Sequence, residues 1–125
     1  MSNPDIVRVR HMLDAAQEAL SFVGDKSRSE LDANRMLTLS LVKSIEIVGE
    51  AASRVSSAFR ETHPEIPWVV IVTMRNRLIH AYFDIDLDRV WDTIIDDLPP
   101  LIHELKMILS MENGDKIFYG LEEKK

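Results

Sequence analysis

The sequence predicts an all-α protein, an antiparallel bundle of four to five helices. Three observations favour this class. Hydrophobic residues recur at steps of three and four along most of the 125 residues, no segment shows the sustained alternation of a β-strand, and no hairpin turn or internal repeat is evident. Successive helices with short connections pack naturally as an antiparallel bundle.

The composition indicates one folded domain. Hydrophobic residues make up 46% and charged residues 29%, a balance that separates the chain from disordered proteins. We expect a single domain over residues 1–114 and a short tail over 115–125. No apolar run approaches the ~20 residues of a membrane span, and the first residues do not resemble a signal peptide. The expectation is therefore a cytoplasmic protein without a membrane contact.

The first helix is predicted from about Pro4 to Gly24. Proline suits a first turn and glycine suits a helix stop. The apolar stripe between them consists of Ile6, Val9, Leu13, Ala16, Leu20 and Val23.

A second helix is predicted over about residues 30–61, and the segment His63–Pro67 breaks it, because proline lacks an N–H donor. Pro67 then opens a third helix that reaches Leu78 and fades at Ala81–Asp84. The second stripe consists of Leu41, Ile45, Val48, Ala52, Val55 and Phe59.

Asp86 is a plausible N-cap for a fourth helix, which Pro99 and Pro100 are expected to kink or split. The apolar stripe resumes at Leu101 and continues to Asn113.

Three residues have structural interpretations. Trp68 and Trp91 fall on apolar stripes, which favours core packing over base stacking. Gly49 lies inside a helix, where glycine costs ~1 kcal/mol relative to alanine, so we expect another helix to approach closely there. For a fourth residue, the adjacent Glu50, two interpretations stay open: it pairs with an arginine near a functional cleft, or it is solvated.

Several chemistries are excluded or disfavoured. The sequence contains no cysteine, so disulfides, cysteine-ligated zinc and thiol nucleophiles are ruled out. The four glycines are too dispersed for a phosphate-binding loop, and no serine lies in a nucleophile elbow. The histidines lack metal-ligand spacing, so we predict no metal and no cofactor; they are His11, His63, His80 and His103.

The net charge of -6 is unusual for a nucleic-acid binder, because cationic side chains normally supply most of the affinity. Its distribution is uneven: residues 1–80 carry 10 acidic and 10 basic side chains, and residues 81–125 carry 11 acidic and 5 basic ones. An RNA site would therefore use the neutral part of the chain and would not be a broad basic groove.

The segment Arg75–Tyr82 combines two arginines, an amide, a histidine and a tyrosine within eight residues. On an ideal helix Arg75 and His80 would lie about 140° apart, whereas Asn76 and His80 would share a face. Arg75 and His80 can converge only if the helix ends near His80 or a second copy of the motif faces the first. By composition alone, the segment also fits an ordinary helix end.

The residues Arg75 to His80 match the R-x4-H signature of HEPN domains, with the polar Asn76 directly after the arginine. The chain resembles the HepT-like branch over roughly residues 5–110. The ordered segments that carry the resemblance are Ile45–Ala52, Pro64–Trp68, Arg75–Phe83, Val90–Trp91 and Asp97–Pro99.

This resemblance implies a HEPN-like fold and a homodimeric, metal-independent endoribonuclease toxin, in which the motifs of both chains line one cleft. It also implies an antitoxin, a minimal nucleotidyltransferase of the MntA type, which silences the toxin by AMP transfer to the tyrosine of R-x4-H-x-Y. Tyr82 occupies that position.

The chemistry of the motif suits RNA cleavage. His80 has an ordinary pKa of ~6.5, near the optimum for general acid or base catalysis. Arg75 offers a permanently charged fork for phosphate oxygens. Asn76 could orient His80 or the phosphate, and Arg77 could help to bind RNA.

An alternative function stays open at this point: a non-catalytic helical interaction module that binds a nucleotidyltransferase partner or a nucleotide. The acidic net charge favours the module. The intact set of arginine, histidine and tyrosine favours the enzyme.

Overall fold

The structure is a computed structural model that describes residues 3–81 and 84–113, apart from the side chains of residues 80, 81 and 113. The elements in chain order are α1 (Pro4–Val23), α2 (Glu30–Ala33), α3 (Arg35–Ser53), α4 (Ser57–Thr62), α5 (Trp68–Val72), α6 (Met74–Leu78), β1 (Ile79–Ala81), β2 (Asp84–Ile85), α7 (Leu87–Asp92), the π-helical segment π1 (Thr93–Asp97) and α8 (Leu98–Asn113). The predicted all-α class is confirmed. Tyr82 and the predicted tail 115–125 lie outside the described residues.

Helix α1 has the predicted bounds. The Asn3 side chain accepts a hydrogen bond from the Asp5 N–H at 2.9 Å, and Pro4 lies in the first turn. Gly24 ends the helix with a φ of +53°, a conformation that favours glycine, and its N–H donates to the Leu20 carbonyl.

The predicted continuous helix over 30–61 is wrong, because the structure divides it into α2, α3 and α4. Asn34 is extended and accepts from the Leu37 N–H at 3.0 Å, which starts a new helix. Ser56 likewise accepts from the Phe59 N–H at 3.2 Å and caps α4. Both side chains offer the backbone an alternative to continued helix.

The predicted third helix is also divided, at Thr73, whose hydroxyl donates to the Val69 carbonyl at 2.8 Å. Helix α6 ends at Leu78, and Ile79 is extended. The prediction that Asn76 and His80 share a helical face is therefore wrong, because the His80 backbone belongs to β1.

The expectation that the chain has no strands is wrong on a small scale. Strands β1 and β2 form an antiparallel ladder that pairs Ile79 with Ile85 and Ala81 with Asp84. The strands are too short for period-two alternation to appear in the sequence. The Asp86 N–H extends the connection by donating to the Leu78 carbonyl at 2.7 Å.

Asp86 caps α7 as predicted, accepting from the Arg89 N–H at 3.1 Å. The expected disruption by Pro99 and Pro100 takes the form of a π turn, in which the Leu98 N–H donates to the Thr93 carbonyl. A proline ring clashes with the carbonyl four residues earlier, and a widened turn relieves that clash. The helix therefore continues into α8 without a break.

The core lies where α1 packs against α3 and α8, and α5 and α6 pack against α3. Trp68 is buried and donates from Nε1 to the His63 carbonyl at 3.0 Å, and Trp91 packs against the core, as predicted. Within the described residues, no helix combines the length and apolarity needed to cross a membrane. The largest fully buried side chains include Met12, Leu41, Ile45, Ile66, Leu78, Ile94, Leu98, Leu105 and Ile108.

Candidate active site

A glycine brings the motif-bearing helix close to α3. A Cβ built on Gly49 would lie 3.2 Å from the Ile71 carbonyl oxygen and 3.7 Å from that of Val72. The predicted close approach is thus confirmed. Because α5 leads directly into α6, this contact places the start of the R-x4-H motif beside the C-terminal half of α3.

Arg75 is held by a carboxylate from α3. Its Nε donates to Oε2 of Glu46 at 2.6 Å, and the Arg75 side chain remains 50% exposed. Its terminal guanidinium nitrogens make no hydrogen bond within the described part of the chain. An exposed pair of this kind contributes ~1 kcal/mol or less to stability, so its main effect is to orient the guanidinium.

The pair lines a groove of about 450 Å³ between α1, α3 and α6. Glu50 forms an ion pair with Arg54 in the same groove at 2.9 Å, which confirms that Glu50 pairs with an arginine. The lining residues are Arg8, His11, Lys43, Glu46, Ile47, Glu50, Ala51, Arg54 and Arg75.

Arg77 lies elsewhere. It donates to the Val70 carbonyl at 3.1 Å and lines a separate cavity of about 500 Å³, largely apolar, between α5, α6 and the helices that follow β2. Two residues along a helix correspond to about 200° of rotation, which explains the separation from Arg75. The RNA-binding role of Arg77 stays a prediction.

Asp97 lines the cavity that contains Arg77. Partial burial of its carboxyl raises the pKa of Asp97, and the charges of Asp96 and Asp92 raise it further, whereas Arg77 acts in the opposite direction. The lining of this cavity thus carries four carboxylates, Glu65, Asp92, Asp97 and Glu104, against two arginines, Arg77 and Arg89.

The structure bears on whether Arg75 and His80 can converge within one chain. Because α6 ends at Leu78, the angle of an ideal helix does not fix where the two side chains lie. The divergence of Arg75 and His80 on a regular helix therefore no longer argues for a dimer, and the dimer stays a prediction. Asn76 is exposed on α6, and its role in orienting His80 or the phosphate stays a prediction.

Sequence reasoning missed the contribution of α1 and α3. Arg8 and His11 are three residues apart, and Lys43, Glu46 and Glu50 recur at steps of three and four, so each set shares a helix face. This polar periodicity lies opposite the apolar stripe that defined each helix. Among the side chains that the structure describes, no group of three or more histidine or carboxylate residues gathers as a metal site would require.

The family model of HepT-like ribonucleases matches residues 12–108. The chain belongs to the HepT-like ribonuclease family. Its HepT-like relatives include a candidate RNase of Methanocaldococcus jannaschii, 33% identical over 97 residues, which cover 78% of this chain and 89% of the relative. No solved structure gives a significant match to this chain.

Two further relatives agree with this family. A candidate RNase of Caldanaerobacter subterraneus subsp. tengcongensis is 35% identical over 104 residues, covering 83% of this chain and 93% of the relative. A candidate ribonuclease HepT of Thermococcus cleftensis is 32% identical over 93 residues, covering 71% and 84%.

The HepT-like region contains α3, α6 and β1, and therefore Glu46, Arg75 and His80. Arg8 and His11 precede it. The predicted family is confirmed, and the individual roles of the motif residues stay predictions.

Proposed function

We propose that this HepT-like ribonuclease is a metal-independent endoribonuclease that cuts RNA through Arg75 and His80. The observation that carries the proposal is the Arg75 guanidinium, which Glu46 holds through Nε while its terminal nitrogens are free of hydrogen bonds within the described residues. A half-exposed, oriented arginine in a groove suits the bidentate binding of a phosphate.

RNA supplies the nucleophile. A base removes the proton of the 2′-OH, the 2′ oxygen attacks phosphorus, and the bond from phosphorus to the 5′ oxygen breaks. An acid protonates the leaving 5′ oxygen, so the products are a 2′,3′-cyclic phosphate and a 5′-hydroxyl. His80 acts as the acid or the base, and Arg75 stabilises the charge on the nonbridging oxygens in the transition state.

Asn76 orients His80 or the phosphate, and Arg77 holds the RNA strand farther from the scissile bond. The proposal includes a cytoplasmic homodimer whose two motifs line one cleft, so that one His80 serves as base and the other as acid. A two-fold axis pairs each motif with its own copy.

The biological setting that we propose is a toxin and antitoxin pair. The antitoxin is a minimal nucleotidyltransferase that attaches AMP to Tyr82, two residues beyond His80. The added phosphate and its bulk would compete with RNA for Arg75 and block the groove. The support for this step is the place of Tyr82 in the R-x4-H-x-Y motif.

A cleavage assay tests the catalytic proposal. Purified protein is expected to cut single-stranded RNA in EDTA. His80→Ala and Arg75→Ala are each expected to lower the rate at least about 100-fold with unchanged helical content, since acid–base and electrostatic groups contribute on that order. Arg10→Ala is the control, because Arg10 is exposed on α1 and does not line the groove.

Equal activity in wild type and all three variants would indicate a contaminating nuclease. It would favour the alternative function, a non-catalytic interaction module. Loss of activity in EDTA, restored by a divalent cation, would instead contradict metal independence.

The AMP transfer is tested separately. This protein is incubated with a nucleotidyltransferase encoded beside its gene and with ATP, and the intact mass and the modified peptide are measured. We expect AMP on Tyr82 and loss of nuclease activity. A Tyr82→Phe variant that the partner still modifies and silences would refute this position for the modification.

A further inference from the structure

We infer that Arg8 and Lys43 form an RNA phosphate-binding surface that extends the groove beside Arg75. The inference rests on the proposed ribonuclease function and names residues that bind the strand away from the scissile phosphate.

The charge balance of the groove supports this surface. Four cationic side chains line it, Arg8, Lys43, Arg54 and Arg75, together with two carboxylates. Each carboxylate already pairs with an arginine, through Glu46–Arg75 and Glu50–Arg54. Arg8 and Lys43 form no ion pair within residues 3–81 and 84–113, so the groove has two surplus cations on a chain of net charge -6.

The positions of these cations suit an extended strand. Lys43 is three residues from Glu46 on α3, a rise of about 4.5 Å, so it lies beside the Glu46–Arg75 pair. Arg54 is eleven residues from Lys43, a rise of about 16 Å, and Arg8 faces this row from α1. Cations spread along a groove match the repeated phosphates of RNA, whereas one compact anion would require them to converge.

The surface also resolves the objection from net charge. The first 80 residues are neutral in sum, yet the groove beside the motif contains four of their ten cations and only two of their ten carboxylates. Local potential in a cleft, more than net charge, governs the approach of a charged ligand.

The test measures binding apart from cleavage. A fluorescent single-stranded RNA with 2′-O-methyl groups throughout has no 2′ nucleophile, and anisotropy gives its Kd at several salt concentrations. The double variant Arg8→Gln and Lys43→Gln is compared with Arg10→Gln and Lys106→Gln, which removes the same charge from exposed positions outside the groove.

Each phosphate contact contributes about 0.7 to the slope of log K against log salt for a single strand. The groove variant is therefore expected to reduce the slope by about 1.4. Between 50 and 200 mM salt, wild type would lose about sevenfold more affinity than the groove variant. The control variant is expected to keep the wild-type slope, and each single groove variant about half of the change.

Equal slopes in the two double variants would overturn the surface, even if wild type cleaves RNA. Absence of binding by wild type would overturn it as well. A reduced slope in a protein that does not cleave ordinary RNA would uphold the surface and refute the ribonuclease mechanism. Thermal unfolding of each variant by circular dichroism checks that every comparison is made on folded protein.

Discussion

The Glu46–Arg75 contact joins two helices through one hydrogen bond of 2.6 Å. Because Glu46 accepts from Nε, it orients the guanidinium and does not occupy the terminal nitrogens. In the mechanism that we propose, Glu46 is thus a positioning residue, which acts on the phosphate through Arg75. A carboxylate in this place also repels phosphate, so orientation has to outweigh that repulsion.

The first prediction concerns this role. Glu46→Ala is expected to lower kcat by up to about 100-fold, since a small misplacement of a catalytic group has an effect of that order. Glu46→Gln, which keeps an oxygen acceptor, is expected to recover most of the rate. The stability of both variants should change by less than about 1 kcal/mol.

Glu18→Ala provides the comparison, because Glu18 is exposed on α1 away from the groove. A Glu46→Ala enzyme with wild-type kcat, or a Glu46→Gln enzyme no better than Glu46→Ala, would contradict the positioning role.

Asp97 provides a prediction of pH dependence. Its pKa lies above the ordinary value of 3.8, mainly because of partial burial, so the folded protein holds this proton more tightly than the unfolded chain. The free energy of unfolding therefore falls as the pH rises from about 3.8 through the raised pKa, because Asp97 ionises less readily in the folded protein. Asp97→Asn is expected to raise the Tm at pH 7, and the gain should shrink as the pH falls toward 3.8.

Thermal unfolding across this pH range checks the sign, with Asp14→Asn as the control for the loss of one exposed carboxylate. A gain that grows on acidification, or one matched by Asp14→Asn, would show that the raised pKa is not its source.

At the scale of elements, Gly49 sets the distance between α3 and the connection from α5 to α6. The gap of 3.2 Å from a built Cβ to the Ile71 oxygen is too tight for a larger side chain without movement of the backbone. Movement there would shift Arg75 relative to Glu46. The fold and the site are thus coupled at one residue.

The prediction is that Gly49→Leu destabilises the protein by about 1–3 kcal/mol, the usual cost of overpacking, and also lowers kcat. Urea unfolding and the cleavage assay measure the two effects. Ala33→Leu, at an exposed helical position, serves as the comparison. Unchanged stability and activity in Gly49→Leu would show that the helices can separate without disturbing the site.

The sequence predicted the elements better where a helix end depends on strong local chemistry. Pro4, Gly24 and Asp86 were correctly assigned to helix ends, because a first-turn proline, a glycine stop and an aspartate N-cap follow from the residue type. The breaks at Asn34 and Ser56 were missed, because the apolar stripe continues across them and does not report which backbone N–H a side chain captures.

The site was predictable in part for a similar reason. The R-x4-H motif is local in sequence, so the sequence alone identifies Arg75 as a candidate. Glu46 is 29 residues away from Arg75, and its contact depends on how α3 and α6 pack. The end of α6 at Leu78 depends on the short ladder between β1 and β2, which is a tertiary feature of few residues.

In the molecule as a whole, positive and negative charges concentrate in different parts of the chain. The groove beside Arg75 holds surplus cations, whereas the segment after residue 80 holds the acidic excess. We expect this arrangement to guide RNA toward one face, an effect that weakens as salt screens the charges.

Assembly is a further property of the whole molecule. We predict a dimer in solution, measured by light scattering at the concentrations used for cleavage. Adding an excess of His80→Ala chains to wild type should lower the activity per wild-type chain, because a mixed dimer keeps only one of the two His80 side chains that the shared cleft requires. A fully active monomer would contradict the shared cleft and leave the chemistry of a single chain in place.

The proposed mechanism requires that this chain cut RNA by using the substrate's own 2′-OH. The most direct measurement compares an RNA that contains one cleavage site with the same RNA carrying a single 2′-deoxy nucleotide immediately 5′ of the scissile phosphate, both in EDTA. We expect the unmodified RNA to yield a 2′,3′-cyclic phosphate and a 5′-hydroxyl, and the deoxy substrate to resist cleavage at that bond. Cleavage of the deoxy substrate at the same bond and a similar rate would contradict the mechanism.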